Sequence, residues 1–171
     1  MEKKTKDIES NVYYQARKRN GLTREKASEL MDTISESRLE RIEYGTANTL
    51  PEDVVEMAAA YNQPSLCNYY CSHECRIGQD KVPEIQESTL PEIVLRMLAT
   101  LNELDEEKNR LIFITADGKV SDDELRDFAR IQRELEKVSV GVESLKLWVN
   151  RTIAEGDIDI EKLQNYQKEL D

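Results

Sequence analysis

Apolar positions along this chain recur at three- and four-residue steps, the spacing of helix faces. In the first third, Val12, Tyr13, Ala16 and Arg17 lie on a helix that should stop at Gly21. Glycine suits the left-handed position that ends a helix. Thr23 is placed to cap a second helix, with Ala27 and Leu30 on its inner face. Thr33 and Glu36 have capping-box spacing ahead of a third helix. That helix presents Ile34, Ser37 or Arg38, Leu39 and Ile42, and ends at Tyr44-Gly45. Thr49-Leu50-Pro51-Glu52 opens a fourth, with proline tolerated in the first turn. Val54, Val55, Met57, Ala58 and Tyr61 form its apolar side.

Residues 78–88 are polar and break the periodicity, so they read as a linker between a domain at 1–77 and another at 89–171. Thr89-Leu90-Pro91-Glu92 repeats the helix-opening chemistry of residues 49–52. The long helix that follows carries Leu90, Val94, Met97, Leu101, Leu104, Leu111 and Thr115, with Lys108 the polar member of the series. Ala116-Asp117-Gly118-Lys119-Val120 turns the chain, and Ser121 with Glu124 caps the next helix. Its heptad series is Phe128, Ile131, Leu135, Val138, Val142, Leu145, Val149 and Thr152, with Gly141 inside it. A second acidic-glycine turn at 154–158 precedes a last helix with Ile160, Leu163, Tyr166 and Leu170. Neither turn has the ligand ladder of a calcium loop, so both read as a helix stop followed by a helix cap. The two long helices should pair antiparallel.

Composition narrows the class. Charged residues make up 35% and aromatics 6%, as expected of a helical protein with modest cores. No apolar run reaches membrane-spanning length, and MEKKTKDIES lacks the apolar core of a leader peptide. A cytoplasmic protein with no membrane partner is expected. The formal charge of −11 argues against coating a polyanion with the whole surface. Residues 1–64 hold ten basic and twelve acidic side chains, whereas residues 65–171 hold fourteen and twenty-three. Any nucleic acid should therefore meet the N-terminal part.

The stretch Gln15–Asn62 resembles the helix-turn-helix domain of the Cro and lambda-repressor type, the XRE-like group. The resemblance implies a five-helix N-terminal domain, followed here by the antiparallel helical hairpin and a short third helix, in an all-α chain. Arg17 matches the family's first-helix arginine and Glu43 its third-helix glutamate, which implies an internal ion pair. Arg24 stands where the family places a phosphate-contacting residue at the start of the second helix. Glu36, Ser37, Arg38 and Glu40 fall on the part of the third helix that faces the major groove. Ser28 matches the small residue between the second and third helices. Met31-Asp32-Thr33-Ile34 is one residue longer than the family's turn. Phosphate contacts supply most DNA affinity, and Arg17, Lys18, Arg19, Arg24, Arg38 and Arg41 are the cations available. The implied partner is double-stranded DNA, contacted by Arg24, Glu36, Ser37, Arg38, Glu40 and Arg41. A homodimer joined by the C-terminal helices is expected, since such domains commonly work on paired half-sites.

Glu36, Glu40 and Glu43 make the third helix acidic, which keeps open a protein-interaction adaptor that uses this helix on a protein partner. Cys67, Cys71 and Cys75 fall within nine residues beside His73, the one histidine. On a straight helix Cys67 and Cys75 would stand about 12 Å apart, too far to share a zinc ion. The favoured reading is a half-apolar stripe packing a fifth helix on the first and fourth, with no metal and reduced thiols. The alternative is a thiol- or metal-responsive set of Cys67, Cys71, His73 and Cys75. No Gly-rich phosphate loop and no nucleophile-base pair is present, so no enzyme and no cofactor is expected.

Overall fold

The computed structural model describes residues 8–170; the first seven residues, part of the leader reading, lie outside it. Among the described residues all regular structure is helical. After a short 3-10 turn come α1 (Val12–Arg19), α2 (Arg24–Glu29), α3 (Glu36–Glu43), α4 (Pro51–Ala60) and α5 (Ser65–His73). One helical turn, α6 (Gly78–Lys81), leads to α7 (Leu90–Ile114), α8 (Leu125–Ala154) and α9 (Ile160–Leu170). The all-α class is thus observed, with a five-helix N-terminal bundle, a long antiparallel helix pair and a short last helix. The chain divides into two compact units, residues up to Glu84 with those from Val149 onward, and Ile85–Trp148.

The N-terminal helices begin and end where local chemistry dictates. Asn11 caps α1, its Oδ1 accepting from Tyr13 N and Tyr14 N at 3.0 Å each. Gly21 and Gly45 follow α1 and α3 at φ +65°, a left-handed geometry that costs a side-chain-bearing residue more. Thr23 Oγ1 accepts from Lys26 N at 3.2 Å to open α2. The core joins Tyr13 and Ala16 of α1, Ala27, Met31 and Ile34 from α2 and its turn, Leu39 and Ile42 of α3, and Val54, Met57, Tyr61 and Leu66.

Several expectations change here. Leu30 and Val55 are exposed, and Met31 takes the buried place beyond Ala27. The cap of α3 is Ser35, whose Oγ accepts from Arg38 N at 3.3 Å, not Thr33. Thr33 instead donates to Glu56 of α4, from its N at 3.0 Å and its Oγ1 at 2.6 Å. The long turn between α2 and α3 is thereby pinned to the fourth helix. The stretch read as linker starts with a helical turn, because Gly78 lies against the backbone of Cys71 where a Cβ would stand 2.0 Å from the carbonyl oxygen.

In the second unit, α7 opens with Thr89, which donates from N and Oγ1 to Glu92 at 2.9 and 2.8 Å. Gly118 turns the chain at φ +73°, and Ser121 N and Oγ donate to Glu124 before α8 starts. The helices run antiparallel, with Glu103 beside Lys137, Glu107 beside Arg130 and Arg110 beside Asp127. The seam on α7 is Ile93, Met97, Thr100, Leu104, Glu107, Leu111 and Ile114. On α8 it is Ile131, Glu134, Val138, Gly141 and Leu145. Val94, Leu101, Thr115, Leu135 and Val142, expected in the stripes, are exposed one position to the side. Gly141 lets α7 approach, since a Cβ there would lie 2.8 Å from Met97 Cγ.

Candidate nucleic-acid interface

The third helix divides its polar residues between two faces. Arg38 and Glu43 turn inward; Glu36, Ser37, Glu40 and Arg41 are exposed, and Tyr44 continues that outer face past the helix end. The division follows from the 100° step of the helix, since Leu39 and Ile42 fix which side is buried.

Glu43 is almost fully buried and stands at the centre of a charge network. Arg17 Nε donates to its Oε1 at 2.5 Å and Arg17 Nη2 to its Oε2 at 2.9 Å. Arg24 Nε donates to the same Oε2 at 2.8 Å. Arg17 Nη1 also donates to Leu22 O at 2.7 Å. One carboxylate therefore holds α1, α2 and α3 together. Such a buried group is tolerable because each of its oxygens is hydrogen-bonded to a guanidinium. Arg24 lies over the Tyr44 ring at 5.3 Å and comes within 3.5 Å of Glu40. The burial of Arg24 opposes its charge, but the Glu43 carboxylate outweighs this and raises its pKa.

Arg38 makes a two-pronged pair with Asp53 at the start of α4. Its Nε donates to Oδ1 at 2.7 Å and its Nη2 to Oδ2. Asp53 also accepts from Leu50 N at 2.8 Å, capping α4. Burial alone would raise the Asp53 pKa, yet the Arg38 guanidinium and the Leu50 N–H hold it below the usual carboxylate value. Thr33 does the same for Glu56.

The structure thus brings Arg24, Glu40 and Glu43 together and sets Arg38 apart on Asp53. Lys18, Arg19, Lys26 and Arg41 are exposed and form no ion pair among the described residues. Lys26 was not singled out from the sequence, although its place two residues after Arg24 on a short capped helix was the available signal. Asp53 was also missed as a partner for Arg38, and no local spacing announces a contact fifteen residues away.

The thiols lie elsewhere. Cys67 and Tyr69 pack against the core from α5, with Tyr69 edge-on to Tyr13 at 6.2 Å between ring centres. Burial, then the neighbouring Cys71, raises the Cys67 pKa. His73 stacks on Tyr69 at 4.5 Å. All three cysteines are free and half-buried. Among the described residues no cluster of His, Cys, Asp or Glu is arranged to hold a metal ion. No helix of the described residues is long and apolar enough to cross a membrane.

Residues 14–65 match a family model described as helix-turn-helix. The match runs from α1 through α4 to the first residue of α5. No curated protein and no solved structure gives a match to the chain. The N-terminal region is therefore a helix-turn-helix domain of the Cro and lambda-repressor type, a fold of DNA-binding regulators.

Proposed function

We propose that this chain is a sequence-specific, double-stranded-DNA-binding transcriptional regulator that acts in the cytoplasm as a pair of copies joined through its C-terminal helices. The observation that carries the reading is the outer face of α3. Ser37 and Arg41, one turn apart, are exposed on a helix whose inward charges are all engaged by the scaffold. Arg41 is the cation of that face without an ion pair among the described residues, and an arginine can address guanine O6 and N7 with both prongs. Lys18, Arg19 and Lys26 are free to meet phosphate from the neighbouring helices. Glu36 and Glu40 disfavour indiscriminate phosphate binding and can accept from cytosine N4. Binding of this kind is selective and modest in non-specific affinity. Arg24 serves the interface from its ion-paired position at the start of α2, and Arg38 acts through its hold on α4.

A selection from random duplex DNA followed by titration tests this. A defined motif should emerge, and Arg41→Ala should lose about 1–3 kcal/mol at one base pair. Lys26→Ala should weaken all sequences alike and flatten the salt dependence by about one unit. Absence of duplex binding at low salt, also in Glu36→Gln and Glu40→Gln, would overturn the reading.

The second reading is an adaptor that presents α3 to a protein. It is favoured by one observation, the exposed carboxylates of Glu36 and Glu40 on the same face. Those two changes to glutamine would then weaken a protein complex and leave DNA affinity negligible.

A further inference from the structure

The hairpin keeps apolar side chains outside its own seam. Val94, Leu98 and Leu101 of α7 and Leu135 and Val142 of α8 are between 37% and 54% exposed. With the seam residues at heptad positions a and d, Val94, Leu101, Leu135 and Val142 all occupy e, and Leu98 occupies b. In two antiparallel helices the e positions share one broad face and the g positions share the other. The g side is stitched by charge: Lys137 lies 3.0 Å from Glu103, Arg130 lies 2.9 Å from Glu107 and Arg110 lies 2.6 Å from Asp127. The e side has no such pairs among its central residues, where Gln132 and Ser139 are the polar members.

We propose that this e face is where a second copy of the chain docks, hairpin on hairpin, to close a four-helix bundle. Resting on the regulator reading, it names the surface that pairs the copies. A two-helix coiled coil needs only a and d apolar, whereas a third apolar position per heptad is the pattern of a helix packed in a bundle. The patch is also its own complement. The register of the ion pairs sets Val94 level with Val142 and Leu101 level with Leu135. With a two-fold axis in the plane of the face and along the helices, Val94 of each copy therefore meets Val142 of the other, and Leu101 meets Leu135. A two-fold interface requires a self-complementary patch.

Charge points to the same occupant. Asp105 with Lys108 at 3.0 Å crosses the strip on α7, and Lys146 with Glu143 at 2.8 Å closes it beside Val142. Each pair is neutral, so two copies meet there without repulsion despite the acidic C-terminal half. The strip extends from Val94 to Ile112, about 27 Å, across two helices or roughly 20 Å. With rim side chains added it reaches the order of the ~800 Å² per partner that stable pairs bury.

The test is sedimentation equilibrium of the full chain without DNA, so pairing is judged apart from DNA binding. The wild type should sediment at twice the 19.8 kDa chain mass at micromolar concentration. Leu101→Lys/Leu135→Lys should sediment as a single chain with an unchanged helical spectrum, because both side chains are half exposed. Leu95→Lys, on the outer side of α7 and 68% exposed, should remain paired. Should the double variant lose helicity, Leu98→Gln serves instead and should raise the dimer dissociation constant about tenfold or more. A wild type of single-chain mass up to roughly 100 µM overturns the proposal. So does a helical double variant that stays paired, an unaltered constant in Leu98→Gln, or dissociation by Leu95→Lys.

Discussion

Replacing Arg38 by alanine separates a scaffold role from a reading role. The side chain makes two charge-assisted hydrogen bonds to Asp53, whose side chain is only 5% exposed while that of Arg38 is 24% exposed. Breaking a fully buried pair costs about 3–5 kcal/mol because the partner is left charged and unpaired. Exposed pairs are worth about 0–1 kcal/mol. Arg38 retains some water contact and Asp53 keeps the Leu50 N–H, so about 2 kcal/mol is expected. For a unit of 60–100 residues that corresponds to a melting temperature roughly 8–16 °C lower. Arg38→Lys should recover only part, since an ammonium cannot reproduce the fork. The pair also leaves a signature in acid. Because the folded Asp53 pKa lies below its unfolded value of 3.8, its contribution is complete above that pH and is lost as pH falls through the folded value. Arg38→Ala should therefore lose less stability than wild type between about pH 5 and pH 2. Circular dichroism melts across that range provide the assay. A melting temperature within about 2 °C of wild type, together with a changed base preference in the DNA selection, would refute the scaffold assignment.

Glu43→Gln should cost about 3–5 kcal/mol in urea denaturation, because Arg17 stays buried without its countercharge; a loss under about 1 kcal/mol would remove Glu43 from the centre of the network. Gly141→Val should destabilise the hairpin by about 1–3 kcal/mol despite the helix-propensity gain over glycine, because its Cβ meets Met97. A raised melting temperature in that variant would show that the helices are not in close contact there.

The N-terminal domain was legible because its punctuation is local. Gly21, Gly45, Thr23 and Pro51 act within one or two turns of themselves, and the Arg17–Glu43 pair came with the family resemblance. Thr33 was misread because it has capping-box spacing to Glu36, whereas Ser35, the residue with extended backbone at the helix start, has Arg38 three residues on and offers no such signature. The Asp53 partner of Arg38 was missed for a different reason. A surface position and a long side chain say nothing about which carboxylate, fifteen residues away, will fold against it. On α7, leucines, isoleucines and valines occupy several adjacent stripes. Periodicity gives the spacing of a seam but not its phase, which is set by the partner helix. Glu134 and Gly141 on α8 hid that phase, since neither looks like a core residue.

The separation of faces on α3 also bears on how such a domain changes over generations. The inward charges Arg38 and Glu43 are each tied to other helices, and altering them carries a folding penalty. Glu36, Ser37 and Arg41 carry almost no structural duty, and substitutions at surface positions of this kind usually shift stability by under about 0.5 kcal/mol. Under the proposed function, mutation can therefore explore new targets at these positions without first passing through unfolded variants, and drift in recognition is decoupled from drift in the fold.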